Sequence, residues 1–217
     1  MKNIVMIGPQ GSGKGTQSDV LCRVLGVPHI AMGTLFRTEV AKKSALGQLI
    51  SSYTDRGEIV PIDVASKVLT ERLSAADAAN GMILDGYPRT RDQANVLRGV
   101  VHDLGRELTD VLYLNITDEE AMRRLSGRRV CSNTACERNY HVEYHPPAVA
   151  DMCDVCGAPL MHRKDDVPDA IKRRLEIFHT ETMPLVALYR DEGVLREIDS
   201  MHTIEEVQAA IREALGV

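Results

Sequence analysis

The stretch Gly8-Pro9-Gln10-Gly11-Ser12-Gly13-Lys14-Gly15-Thr16 combines flexible backbone, a cation and a hydroxyl in nine residues. It follows the apolar run Ile4-Val5-Met6-Ile7 and opens a helical pattern from Lys14 to about Leu25. A glycine-rich turn in that position lets backbone N–H groups converge on phosphate oxygens, and the helix N-terminus adds partial positive charge. The common pattern is G-x-x-x-x-G-K followed at once by Ser or Thr, whose hydroxyl binds Mg²⁺. Here Gly15 takes that place and the hydroxyl arrives one step late, at Thr16. A metal ion must then lean on phosphate oxygens, water and a distant acid. Asp85, which closes the strand-like run Met82-Ile83-Leu84-Asp85, is the candidate, because a strand-end acid in a doubly wound sheet lies at the ligand edge.

A second set of reactive side chains lies late in the chain. Cys131-x4-Cys136 and Cys153-x2-Cys156 are separated by sixteen residues. Two close pairs at that spacing fit a tetrahedral thiolate site, with a first loop two residues longer than usual. Soft ligands favour Zn²⁺, and iron or cobalt fits the same cage. A redox C-x-x-C is the competing reading; two disulfides fit poorly with a cytoplasmic chain. His141 and His145 are substitute ligands if a cysteine is not used. A segment of this size builds little core, so a metal there is expected to be structural. Cys22 stands apart and reads as a small buried apolar residue.

These groups need elements to hold them. The chain has 217 residues, enough for one core and a small insertion. With no Trp and two Phe, the core must rest on aliphatic side chains. Short apolar runs at Lys2–Ile7, Pro28–Ala31, Met82–Asp85, Val111–Asn115 and Val194–Ile198 alternate with helical patterns. Those patterns cover Gly33–Asp55 in two pieces, Pro61–Ser74, Thr90–Leu104, Asp118–Ser126, Ile204–Leu215 and a long one from Pro168, bent near Pro184. In the first helix Val20, Leu21, Val24 and Leu25 form the expected inner face. The alternation predicts a parallel sheet covered on both sides. Arg128–Arg163 breaks it with four Cys, three His and little periodicity, the mark of an insertion of different architecture. Net charge is -5, and only seven of 26 basic residues are Lys. An arginine-rich acidic chain suggests local oxyanion sites and argues against a nucleic-acid face. No apolar run approaches membrane-spanning length and no signal peptide is visible, so a cytoplasmic protein without membrane contact is expected.

G-x-x-G-x-G-K-G-T followed by Leu84-Asp85-Gly86-Tyr87-Pro88-Arg89-Thr90 resembles the nucleoside monophosphate kinases, and among them most closely the adenylate kinase family. "GRRVC" (Gly127 to Cys131), "RKDD" (Arg163 to Asp166) and "IKRRL" (Ile171 to Leu175) extend the resemblance over essentially the whole chain. It implies a P-loop three-layer α/β/α fold with a five-stranded parallel sheet. Residues 1–31, 61–126 and 164–217 would form the core, 32–60 a small helical monophosphate-binding insertion, and 127–163 a metal-binding β-rich lid. It implies reversible Mg²⁺-dependent phosphoryl transfer from ATP to AMP giving two ADP, by a monomer. Gly11, Ser12, Gly13, Lys14, Gly15 and Thr16 would bind ATP together with Arg124 and Arg128. Arg163 and Arg174 would close over the donor as well and reach AMP. The remaining AMP contacts would be Gly33, Arg37, Gly57, Glu58, Ile59, Val60, Gly86, Arg89 and Gln93, with Gln93 reading the adenine edge through a donor and an acceptor. Lys14, Asp85, Arg89, Arg124, Arg128, Arg163 and Arg174 would carry catalysis by positioning and charge, with little need for a general base. Arg123, Arg129 and Arg173 read as solvated neighbours.

Two departures stand out. The family's S-T-G-D is here Ala31-Met32-Gly33-Thr34, which removes a hydroxyl and an acid and shifts more of the metal role to Asp85. A D-G pair near the C-terminus reads Asp199-Ser200. The departures at Met32 and Thr34 keep open a kinase for CMP, UMP or GMP. A different class, a zinc-ribbon nucleic-acid-binding or regulatory protein, has only the cysteine spacing in its favour.

Overall fold

A computed structural model of the chain describes residues 1–217 except Thr134, Ala135, Glu137 and Lys164, so Lys164 of the RKDD segment lies outside the described residues. Five parallel strands form the centre: β1 (Lys2–Ile7), β2 (His29–Ala31), β3 (Gly81–Asp85), β4 (Asp110–Asn115) and β8 (Leu195–Asp199). Their order is β2-β3-β1-β4-β8. Alternate side chains of β1 enter two separate cores. Ile4 and Met6 pack with Ile83, Leu112 and Ile198 beneath α1 (Lys14–Leu25) and α9 (Ile204–Leu215). Val5 and Ile7 pack on the other face with Met82, Leu84, Val111 and Tyr113, under α2 (Met32–Ala41), α3 (Ala45–Thr54), α4 (Ile62–Leu73), α5 (Arg91–Asp103) and α8 (Met183–Asp191). A strand buried on both faces needs continuous apolar sequence, and that is what made these runs legible.

The register sets the site. Met6 pairs with Asp85, and Ala31 pairs with Asp85 from the other side, so the acid stands at the C-terminal edge beside the turn that leaves β1. The connection after β1 runs over one face toward β2 and the connection after β3 runs over the other face toward β4, which opens a crevice between β1 and β3 at that edge. Two helices flank it: α6 (Asp118–Ser126) and α7 (Pro168–Ile177), joined by Ile116, Ala121, Leu125, Ile171 and Leu175. Between them the chain leaves the main body and forms a three-stranded antiparallel sheet in which β5 (Arg128–Cys131) pairs with β6 (Asn139–His141) and β7 (Leu160–Met161).

Three local readings change. The inner face of α1 is Gln17, Ser18 and Leu21, and Val24 is 42% exposed. Two buried polar residues rotate the face away from the apolar stripe, and the Gln17 amide donates to Ile204 O at 3.0 Å. Cys22 is half-buried, its thiol bonded to Asp19 O. The break in the long C-terminal helix begins at Phe178, before Pro184, as a π-turn over Phe178–Thr182. Proline lacks an N–H and its ring crowds the carbonyl four residues earlier, so the disturbance falls on the preceding turn.

Candidate active site

The loop 8–16 is pressed into the fold as well as open to a ligand. A Cβ on Gly8 would lie 2.5 Å from Leu114 O, so only glycine fits. Gly13, with φ of 88°, caps α1 in the left-handed region that glycine adopts at no steric cost. The Lys14 ammonium folds back and donates to Gly8 O at 2.7 Å and Pro9 O at 2.8 Å. Burial pushes its pKa down to about 8; the positive charges of Arg89, Arg174 and Arg128 push the same way, and Asp85 opposes them. A Cβ on Gly15 would lie 3.9 Å from an Asp85 carboxylate oxygen, so the missing side chain leaves space in front of that acid. Thr16 is exposed.

His29 flanks Asp85 from β2. Its Nδ1 donates to Asp19 Oδ1 at 2.9 Å, and its Nε2 lies 3.8 Å from Asp85 Oδ2, an ion-pair distance too long for a hydrogen bond. Burial alone would lower the imidazole pKa; the two carboxylates override it and raise it to about 9. Burial would raise Asp85, but His29 and Lys14 hold it below the usual carboxylate range.

The arginines are held by acids of the chain. Arg128 makes a two-pronged bond to Asp166 at 2.8 and 2.6 Å, and Asp166 is buried. Arg163 does the same with Asp165 at 2.8 and 2.7 Å. Arg174 reaches both acids, at 3.1 Å to Asp165 Oδ2 and 3.2 Å to Asp166 Oδ1. Burial lowers its pKa to about 10. Asp165 is depressed far below its usual range: burial works against this, and Arg163 and Arg174 prevail. Arg124 donates to Glu120 at 2.7 Å and to Ser200 O at 2.9 Å. Arg123 and Arg173 are exposed, and Arg129 bonds the carbonyls of Ser126 and Arg128.

Arg89 is fixed at every polar point of its backbone. Its N–H donates to Gln93 Oε1 at 2.7 Å, its carbonyl accepts from Thr182 Oγ1 at 2.9 Å, and its own Nε donates to Gly86 O at 3.1 Å. Thr182 ends the π-turn, which aims its hydroxyl at Arg89. The oxygen of Gln93 is therefore committed inside the protein, unlike the expectation that both ends of its amide face a base. Arg37 is exposed and donates to Thr34 Oγ1 at 2.9 Å, with Gly33 packed beneath its guanidinium. Met32 is buried in the main core beside Gly86. Gly57 lies against the Arg174 side chain, Glu58 pairs with Arg56 at 2.8 Å, Ile59 is half-buried and Val60 enters the core.

The four late cysteines converge. Their sulfurs lie within 4.8 Å of one another, with Cys131–Cys156 at 3.4 Å and Cys136–Cys153 at 3.7 Å. These separations exceed a disulfide bond of ~2.0 Å. They match a tetrahedron with arms of ~2.3 Å, whose edges are about 3.8 Å. The cluster can hold a metal ion. The Tyr140 hydroxyl, fixed by the Asp154 N–H at 2.8 Å, donates to Cys153 Sγ at 3.5 Å. That bond, against burial, holds the Cys153 pKa down at about 6.

The model of the family described as adenylate kinase matches residues 6–194. The chain belongs to the adenylate kinase family. It is 41% identical over 212 residues to an adenylate kinase of Streptomyces avermitilis, covering 98% of this chain and 96% of the relative. An adenylate kinase of Acidothermus cellulolyticus is 42% identical over 212 residues, covering 98% and 97%. One from Caldicellulosiruptor bescii is 37% identical over 214 residues, covering 99% of each. As a family member the chain is a phosphotransferase. No helix among the described residues is long and apolar enough to cross a membrane.

Several features of the site were not foreseen from sequence: His29 and Thr182, the partners of Ser200, and Asp165 and Asp166 as holders of the arginines. The acids had a signal, since they adjoin Arg163 in one run. The others reach the site only through tertiary closure.

Proposed function

We propose that the chain transfers a phosphoryl group reversibly from ATP to AMP, giving two ADP, with the residues above in the following roles. One observation carries the reading: Asp85 and Arg89 from one segment, Arg128 from a second and Arg174 from a third all act on the Lys14 ammonium. Such a basin compensates the charge of two facing polyphosphates, and little else is required for in-line transfer. The loop from Gly11 to Thr16 cradles the donor phosphates, with Lys14 following the transferred group. Arg37 and Arg89 hold the acceptor phosphate. Arg124, Arg128, Arg163 and Arg174 exchange their carboxylate partners for phosphate oxygens as the nucleotides bind. Gly33, the 57–60 segment and Gly86 line the acceptor pocket, and Gln93 reads adenine through its amide nitrogen. Mg²⁺, when bound, neutralises phosphate oxygens; Asp85, with open space beside Gly15, orients its water shell. Met32 belongs to the core and Thr34 steadies Arg37, so neither departure removes the acceptor site.

The four thiols suit zinc, which supplies a rigid cross-link when bound; iron and cobalt are the rival occupants. In this reading 127–163 is a lid that excludes water, 32–60 the acceptor-binding insertion, and the remainder the fixed core. The protein works as a cytoplasmic monomer on free nucleotides, without nucleic acid or membrane. A coupled assay of ADP formation with AMP, CMP, UMP and GMP tests the assignment. Preference for AMP is expected; preference for any other acceptor overturns it.

A further inference from the structure

Ser200 is 2% exposed and lies in the turn after β8. Each of its polar groups has a different partner. Its N–H donates to Asn115 O at 2.9 Å, at the C-terminal end of β4. Its hydroxyl donates to Ser12 O at 2.7 Å, inside the phosphate loop. Its carbonyl accepts from Arg124 Nη2 at 2.9 Å. One buried residue thus ties together the sheet edge, the loop and an arginine of α6. The loop bond has a directional consequence. A trans peptide is planar, with its C=O and N–H pointing opposite ways. Holding the Ser12 carbonyl toward Ser200 therefore turns the Gly13 N–H to the opposite side of the loop. Lys14 grips the loop at Gly8 and Pro9 and touches Ser12 only through its side-chain hydroxyl, at 3.5 Å, leaving the Ser12 carbonyl to Ser200. The Ser12–Gly13 peptide relies on Ser200 for its orientation, because Gly13 has no side chain to hold it and adopts a left-handed φ.

We propose that Ser200 is a positioning residue for the donor side, setting the Ser12–Gly13 peptide and Arg124 in one register so that the loop amide is aimed before ATP arrives. Ser200 touches no nucleotide in this scheme; it acts through Ser12 and Arg124. The proposal rests on the phosphate-loop reading above, and it concerns ATP alone.

The test is Ser200→Ala in the full chain, with Ser200→Gly beside it, since glycine is the residue the resemblance places there. Loss of one neutral hydrogen bond supports roughly a threefold to tenfold weaker grip. The expected result is a rise of that size in KM for ATP and in the Kd for ATP measured by calorimetry without AMP. KM for AMP and kcat stay near wild type. A lowered melting temperature with unchanged ATP affinity overturns the proposal and leaves Ser200 a packing residue. An equal rise in both KM values also overturns it. If the unmodified protein fails to phosphorylate AMP, the functional reading falls. The ATP titration of Ser200→Ala still decides the role of Ser200, because it needs no turnover.

Discussion

The phosphate-loop core and the cysteine lid are ordered by different means. Every strand of the central sheet except the edges is buried on both faces, and Leu84, Val111, Leu112 and Leu114 have no exposed surface. Among the described residues the lid sheet has a cluster of three buried residues, Cys131, Tyr140 and Cys153, with Cys136, Ala158 and Leu160 packed at its margin. Val142, Tyr144, Val149, Val155 and Met161 stay exposed there. Such a segment buries too little apolar surface to offset the entropy of ordering it. Four thiols in tetrahedral reach can supply the missing constraint by holding a metal ion. If 127–163 closes over the nucleotides as proposed, it must not be glued to the core by its own hydrophobic surface, and an internal cross-link suits that role.

The sharpest way to break that comparison is to take the metal out. Structural zinc sites contribute on the order of 10 kcal/mol of folding free energy. Chelation, or Cys153→Ser, is expected to abolish amide protection across 127–163 while β1, β3 and β4 keep theirs. Hydrogen exchange reads both regions in one experiment. Equal loss of protection in the core would show that the two are one cooperative unit, and native protein without bound metal would remove the lid's cross-link from the account.

Lys14→Met separates chemistry from order on the core side. The half-buried ammonium stands near the charges of Arg89, Arg128 and Arg174, and its pKa is already pushed down to about 8, so its removal relieves charge crowding. Turnover should fall about a thousandfold, at the upper end for one preorganised donor. The melting temperature should stay level or rise. Retained turnover, or a collapse of the fold, contradicts the role assigned to Lys14.

The same contrast explains what could be read from sequence. The strands of the core announced themselves because burial on both faces demands unbroken apolar runs. The loop, Asp85 and the arginines were visible as short motifs, and the cysteine pairs as spacing. What stayed hidden depends on closure of the chain. Ser200 meets Ser12 across the whole sequence, and Thr182 meets Arg89 only because a π-turn rotates the helix. The inner face of α1 was misread because Gln17 and Ser18 occupy buried positions that a hydrophobic pattern assigns to Val24.

His29 gives the smallest expected effect and the finest discrimination, since it belongs to the core side alone. Its folded pKa is raised to about 9 against an ordinary value of 6.5. The charged imidazole between Asp19 and Asp85 therefore contributes stability that is fully present below about pH 6.5. That contribution fades as pH rises and is lost by about pH 9. Screening at the 45% exposed Asp19 carboxylate reduces it to on the order of 1–2 kcal/mol. His29→Gln should flatten the fall of core stability between pH 6.5 and 9 in denaturant titrations. Lid protection should not respond to the substitution. An unchanged slope would mean that the imidazole is neutral and that Asp85 is held by Lys14 and Arg89 without it.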